Sequence, residues 1–375
     1  MEIQKEKVGI FMKNHFIIGK KELTSTFINL IIAKMFFTYP RMLVQNSGNA
    51  AWIQMLYVAI ISFGLFSIVN RLNNKTEMSN IFDISERVGG KFFRILVGLV
   101  LFSILIINLA MNIRIFSESI RTVLLPNTPT SMVMLLFIIA IGIGAYTGVY
   151  SICRIHSLFM PIAAIVMIIF FIMLIPDINL SNIFPLAGLG TYNLFITGLE
   201  SLSLFSDVMI IYILLPFCKN RRDIKNSILY SYIIGGLSSV AKILIYTLVY
   251  PYPISGEFII PIYQLARIVN IGHYFQRFEA LFEFTWSIAM MLYSAFYLFV
   301  VCYTFTETFK VKYYKEVIIP VVLLAASLGF IPTNFVNFLS DGHEITTVIF
   351  PILYIVPAIT GLLYMIKHRE RRKRN

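Results

Sequence analysis

Ten stretches of about 20 mostly apolar residues, each long enough as a helix to cross a hydrocarbon core of about 30 Å, divide this sequence almost end to end. They run approximately over 22–44, 51–71, 95–124, 131–150, 154–175, 193–217, 226–250, 278–305, 315–331 and 346–366. In lipid every backbone N–H and C=O must find its partner inside the protein, which leaves helices as the form such runs can take. The expected fold is therefore an all-α membrane protein with ten transmembrane helices, one polytopic domain over 1–375 that ends in a basic tail at 367–375. Composition agrees: 58% of residues are hydrophobic and only 13% charged, and mean hydropathy is +0.79. The 33 phenylalanines and 20 tyrosines against 2 tryptophans suit lipid-facing helices with tyrosine at the interfaces.

The net charge of +12 would fit a nucleic-acid partner if it formed a stripe on a folded surface, but the cations lie between the apolar runs. They serve as topology signals, and no nucleic acid is expected. Lys5, Lys7, Lys13, Lys20 and Lys21, then Arg71, Lys75, Arg87, Lys91 and Arg94, then Arg154, "CKNRRDIKN", Lys310, Lys312 and Lys315, and finally "KHRERRKRN" all fall on one side if the spans number ten. The opposite loops hold only Arg41, Arg121, Arg267 and Arg277, so both termini are expected in the cytoplasm. The N-terminal segment carries charges on both sides of a very short apolar stretch, and is expected to be neither a cleavable signal nor a separate domain. The outer segment 251–276 is expected to form a short surface or re-entrant helix, either a lid or an interfacial helix without gating work.

Enzyme chemistry finds no support. Cys153, Cys218 and Cys302 form no CxxC pair, and the five histidines (His15, His156, His273, His343 and His368) are dispersed without metal spacing. There is no HExxH, GxSxG or Walker loop, and "GIGIGAYTG" lies inside a span, where it reads as helix packing. Neither a metal nor an organic cofactor is expected.

The informative residues are the charges left inside spans. Lys34, Arg114 and Lys242 are the cations, with Glu118, Glu200, Asp207, Glu279 and Glu283 as possible acidic partners. Such groups cost several kcal/mol facing lipid and are expected to line a polar interior as a charge network of Lys34, Asp207, Arg114, Glu118 and Lys242. Arg114 and Glu118 are four apart and can pair on one helix face. The first run reads "AKMFFTYPR" through its middle and the sixth "GLESLSLFSDVMIIY"; neither is a comfortable continuous helix. Broken helices at corresponding positions of two halves point to an inverted repeat of five plus five, about 22–175 and 193–366, with a midplane site. Lys34 and Asp207 then both fall near the bilayer centre. Three readings stay open: a ligand-responsive pair, a structural pair, or two residues that never meet. Asn108 and Asn112 on one face of the third run, with Tyr293 and Ser294 midway down the eighth, add polar groups facing a cavity or a neighbouring helix.

Read against known proteins, "QRFEALFEFTW" (276–286) resembles the motif that opens the eighth helix of spore germination permeases, the GerAB/GerKB-type B subunits of nutrient germinant receptors. Its Arg277, Glu279 and Trp286 carry the match. "NIRIFSESI" with "LPNTPTS", "GVYSICRIHSLFMP" and "FSDVMIIYILLPF" are similar as well, in order, over essentially all ten spans. The resemblance implies the amino acid/polyamine/organocation superfamily and a LeuT-like fold with helices 1 and 6 broken. It implies a spore inner-membrane protein that senses a small nutrient, usually an amino acid, together with germinant receptor A and C subunits. The ligand would then lie among Ala33 to Thr38 (with Lys34 and Phe37), Asn108 and Asn112, Glu200 to Phe205 (with Ser201, Ser203 and Leu204), and Ala289 to Tyr293. A sodium ion or a proton would be the coupling ion. Many relatives have a glycine-rich first break, where this chain has Ala33-Lys34-Met35-Phe36-Phe37-Thr38. The ligand is then expected to be small or anionic, or sodium dependence to be lost with the Lys34 amine standing in for the cation. A stand-alone proton-coupled amino acid permease is the alternative function, and a structural scaffold leaves the polar interruptions unexplained.

Overall fold

The computed structural model describes residues 17–374 other than 37, 75, 77, 270–277, 332–334 and 350. α1 (Lys20–Ile32) does not run through the first expected span. Ala33–Phe36 tighten into a 3-10 turn, and the helix restarts as α2 (Tyr39–Ser47) with Pro40 in its first turn. Proline lacks an N–H and its ring clashes with the carbonyl four residues back, so Pro40 cannot sit inside one continuous helix but is well placed to begin one. Gly48, with φ of 56°, turns the chain into α3 (Ala51–Leu72).

α4 (Ile81–Val123) starts on the Asn80 side chain, which accepts the Asp83 N–H at 2.8 Å, and it kinks at Gly90 (φ 74°, ψ −168°). α5 (Thr130–Thr147) and α6 (Val149–Met173) follow. After α7 (Thr191–Phe195) the sixth expected span is mostly a 14-residue 3-10 stretch, Thr197–Ile210, before α8 (Ile211–Leu214). Runs of 3-10 helix longer than four residues are uncommon. Here Ser203 and Ser206 donate their hydroxyls to the carbonyls three residues back, of Glu200 and Ser203 (3.1 and 2.7 Å), which supports that tighter winding. α9 (Arg221–Ser231) begins on the Asn220 side chain and passes through a π turn at Tyr232–Gly236 into α10 (Leu237–Val249). The outer segment holds two short helices, α11 (Ile254–Glu257) and α12 (Pro261–Ile268). α13 (Phe278–Phe309), α14 (Ile318–Gly329), α15 (Phe335–Ile349) and α16 (Ile352–Arg374) complete the chain.

Eight helical stretches among the described residues are long and apolar enough to cross a membrane. Of the other two expected spans, 22–44 is the broken α1–α2 segment and 315–331 contains the 12-residue α14. Burial sorts the stretches into centre and rim. In its most apolar window Thr191–Phe217 is 83% buried and Glu279–Phe309 72%, against 33% for Thr130–Thr147. Leu136, Ile143 and Leu158 on α5 and α6 are exposed, as suits side chains facing lipid. α13 packs on α4, α5 and α6, α1 packs on α6 and α9, and α3 packs against the 3-10 stretch. α4 and α13 approach so closely that a Cβ at Gly98 would run into the Thr308 side chain. At the end rich in basic residues, Glu86 lies 3.4 Å from Arg94 and 3.0 Å from Lys310. There Lys367 donates to the carbonyls of Arg87 and Val88 at 3.0 and 2.8 Å, just before the Gly90 kink.

Candidate functional site

The two irregular segments meet at a pair of opposite charges. Lys34 stands in the Ala33–Phe36 turn and Asp207 in the 3-10 stretch; the Lys34 ammonium is 2.7 Å from Asp207 Oδ2, and both side chains are almost fully buried. Asp207 has two further donors, both from α13: Tyr293 gives its hydroxyl to Oδ2 (2.9 Å) and Tyr297 to Oδ1 (2.7 Å). Asn108 of α4 donates to the Tyr293 hydroxyl (3.2 Å), and Asn112 donates back to the Asn108 side-chain oxygen (2.8 Å). A carboxylate in a dry interior persists when it is paired and hydrogen-bonded, and Asp207 has one ammonium partner and two hydroxyl donors. Four elements (the first break, α4, the 3-10 stretch and α13) are thereby tied at one point.

Beside this point opens a narrow cleft. One wall is Lys34, Thr38 and Tyr39, a second is Asn108 and Asn112, and the third is α15, through Phe338, Gly342 and Thr346. The sequence reading did not anticipate this third wall, having placed 335–345 outside any span; the polar "SDGHEITT" within an apolar run is the signal that could have found it. Carbonyls and N–H groups at a helix break lack part of their regular bonding, so a polar ligand there can meet backbone as well as side chains.

The remaining expected site residues are placed elsewhere. Ser201 accepts from Gln54 of α3 at 2.8 Å, Leu204 is core, and Phe205 stacks on Tyr232 with centroids 5.4 Å apart. Glu200 is half-buried at the start of the 3-10 stretch, with its carbonyl taken by Ser203. Ala33 is core, and the Ala289 carbonyl accepts the Asn29 amide at 2.9 Å. Asn29 also meets His156 Nε2 at 3.1 Å while His156 Nδ1 faces the Ile152 carbonyl at 2.9 Å, a polar link between α1, α6 and α13 that sequence reasoning missed. Phe37 and Arg277 lie outside the described residues. Glu279 opens α13, and Trp286 packs on Phe36 and Phe116 at centroid distances of 6.2 and 5.7 Å.

The expected charge network is divided among the described residues. Arg114 pairs with Glu118 at 2.9 Å, Glu118 also holds Arg121 at 3.0 Å, and Arg114 reaches the Gly329 carbonyl at 3.4 Å, so this group ties α4 to α14. Lys242 joins neither that group nor Lys34–Asp207; its ammonium lies 4.2 Å from the centre of the Phe36 ring. Among the described residues no group of three or more His, Cys, Asp or Glu could hold a metal ion, and the three cysteines are free and buried.

Apolar helices around two broken segments that meet at buried polar groups, with a cleft beside the first break, define a membrane protein of the transporter class. The profile of the Spore_permease family, described as spore germination protein, matches residues 17–336, and the chain belongs to that family. Among curated proteins of Bacillus subtilis (strain 168), it is 23% identical to spore germination protein YndE over 365 residues, 95% of this chain and 97% of that one. It is also 23% identical to spore germination protein B2 over 251 residues, 67% of this chain and 68% of that one. Among solved structures it resembles Mhp1, a nucleobase-cation-symport-1 family transporter in a closed conformation with bromovinylhydantoin bound. The TM-score is 0.62 at 11% identity, covering 93% of this chain and 92% of that one. The fold is thus that of LeuT-like transporters, and the protein is a germination-related, transporter-like integral membrane protein rather than an enzyme.

Proposed function

We propose that this chain is the nutrient-sensing B subunit of a spore germinant receptor, binding a small nutrient of the amino acid class in the cleft beside Lys34 and signalling to A and C subunits. The observation that carries this is the buried Lys34–Asp207 pair at the cleft wall, where two helices are broken. The Lys34 ammonium is a fixed positive charge able to meet a ligand carboxylate, while Asn108 and Asn112 offer amide groups to the rest of the molecule. Because a cation is already supplied by the chain, ligand binding in this reading needs no sodium. Membership of a germination family supports a role in the spore inner membrane, and the asymmetry of lysine and arginine supports cytoplasmic termini.

The test is thermal unfolding of the purified protein against a panel of amino acids, nucleosides and sugars, with and without sodium. A ligand at about 100 times its dissociation constant stabilises a native state that alone binds it by about 2.7 kcal/mol. One amino acid should raise Tm, equally in sodium and in potassium, and the rise should shrink in Asn112→Leu. A response that requires sodium would remove the role given to Lys34. Uptake of that amino acid by the isolated protein in liposomes would replace sensing with the permease reading.

A further inference from the structure

The cleft beside Lys34 changes character along its length. α4 turns Asn108, Met111, Asn112 and Ile115 towards it, spacings of three and four that put them on one helix face. Asn108 is linked to Lys34 through Tyr293 and Asp207, and Ile115 lies two turns further on, about 10 Å along the axis. On the first wall the chain likewise passes from Lys34 and Thr38 to Met42. α15 presents Thr346, Gly342 and Phe338, each four residues from the next. The Thr346 side chain is hydrogen-bonded to the Tyr39 hydroxyl and Gly342 faces Met111, which carries Phe338 one turn beyond. The cleft is therefore polar at Lys34 and apolar at Met42, Ile115 and Phe338. Among the described residues Lys34 is the one charged side chain that lines it.

Between the two ends stands a tight contact. A Cβ built on Gly342 would lie 2.6 Å from Met111 Cε, the one described side-chain atom it would meet. Glycine inside a helix costs about 0.5–1 kcal/mol against alanine, so its place in α15 has a packing cause: the methyl of Met111 rests where that Cβ would stand. The free volume of the cleft is about 30 Å³, on the order of one or two water molecules. An entering ligand must therefore displace side chains, and methionine, unbranched and flexible, is the one suited to move. Met111 cannot retreat towards α15, because its methyl already fills the space the glycine leaves. We propose that the Met111–Gly342 contact sets the length of side chain this cleft accepts, and that its ligand is an amino acid with a short apolar side chain. This rests on the reading of the cleft as the ligand site. The ligand carboxylate meets Lys34, and its ammonium meets the Asn112 side-chain oxygen, since the Asn112 amide is committed to Asn108 at 2.7 and 2.8 Å. The ligand side chain then points towards Met111 and the apolar end, where a charged group finds no partner.

The test follows a homologous series (glycine, alanine, 2-aminobutyrate, norvaline and norleucine), with dissociation constants read from Tm titrations of the purified full-length chain in detergent. In the wild-type chain affinity should peak at a short member and fall as the series lengthens. Met111→Ala should move the peak to a longer member, raising norleucine against alanine by about tenfold or more. Gly342→Ala pushes the thioether back into the cleft and should lower norvaline against glycine by about tenfold. In Met111→Ala/Gly342→Ala the glycine change should leave the ranking of Met111→Ala as it is, because the atom it displaces is gone. A ranking that no variant changes, while some member of the series binds, overturns the length filter and leaves the ligand site standing. A Gly342→Ala effect that persists undiminished without Met111 overturns it too, since the glycine then acts elsewhere. If no member stabilises the wild-type chain or any variant, the amino acid reading of the cleft fails and the filter falls with it. Should Gly342→Ala not fold, Met111→Ala and Met111→Phe carry the comparison: the peak should lengthen in the first and shorten in the second, and an unmoved peak in both overturns the proposal.

Discussion

Asp207 is held by one ammonium and two hydroxyls that arrive from two directions, and this makes its partners unequal to lose. Lys34→Met leaves a buried carboxylate with only neutral donors, a loss of about 3–5 kcal/mol for breaking a buried pair. Converting the carboxylate to an amide in Lys34→Met/Asp207→Asn should return much of it, and thermal unfolding of the single and double variants checks that order. Tyr297→Phe removes one hydroxyl from a charged acceptor and should cost about 1.5–3 kcal/mol, with Tyr293→Phe similar but also freeing the Asn108 amide. Lys34 and Asp207 stand out in the sequence because each interrupts an apolar run. Tyr297 does not, since a tyrosine in "MLYSAFYLF" reads the same whether it lies in the core, at the lipid interface or against a carboxylate. His156 and Asn29 escaped for a related reason: their partners are 127 residues apart in the chain, and a single buried imidazole carries no spacing to recognise.

Two glycines of α4 show how differently the same substitution acts along one element. At Gly90 an added Cβ would meet nothing within 4 Å, but φ of 74° with ψ of −168° belongs to a region that side chains exclude. Gly90→Ala should therefore cost about 1–3 kcal/mol in backbone strain, with no neighbour whose trimming relieves it. At Gly98 the backbone is helical and the obstacle is Thr308, so Gly98→Ala should destabilise and Thr308→Ala should restore much of the loss. Comparing Tm for the two single variants and for Gly98→Ala/Thr308→Ala separates strain from collision. The long apolar helices were legible from hydropathy alone, and so were the interruptions in the first and sixth spans, because charge and serine stand where hydrocarbon is expected. That the sixth is wound as 14 residues of 3-10 helix was not legible, because a change from 3.6 to 3 residues per turn leaves no periodic trace in a segment buried over most of its length. The ninth expected span, 315–331, ends within two residues of α14, and its first residues are wound as the 3-10 turn Tyr314–Val317, a change of winding that hydropathy does not register.

At the scale of the whole molecule, the basic residues that suggest its orientation also tie its helices together. Glu86, Arg94, Lys310 and Lys367 hold the start of α4 to the ends of α13 and α16. The Glu86–Lys310 pair lies at the surface and is worth about 1 kcal/mol or less, and the Lys367 bonds are also at the rim. Lys367→Ala should accordingly leave Tm nearly unchanged while speeding amide exchange in 81–89, a difference that hydrogen exchange reads directly. Orientation has its own check, because the native cysteines are buried. A cysteine replacing Lys219 should resist a membrane-impermeant thiol reagent applied outside intact cells, and one replacing Leu186 should react. The tightly wound segment of the sixth span has a mechanical consequence as well. A 3-10 helix rises about 2.0 Å per residue and turns about 120°, against about 1.5 Å and about 100° for an α-helix. Rewinding only four of its residues would draw its two ends together by about 2 Å and swivel one against the other by about 80°, so this stretch is a short screw thread with Asp207 cut into it.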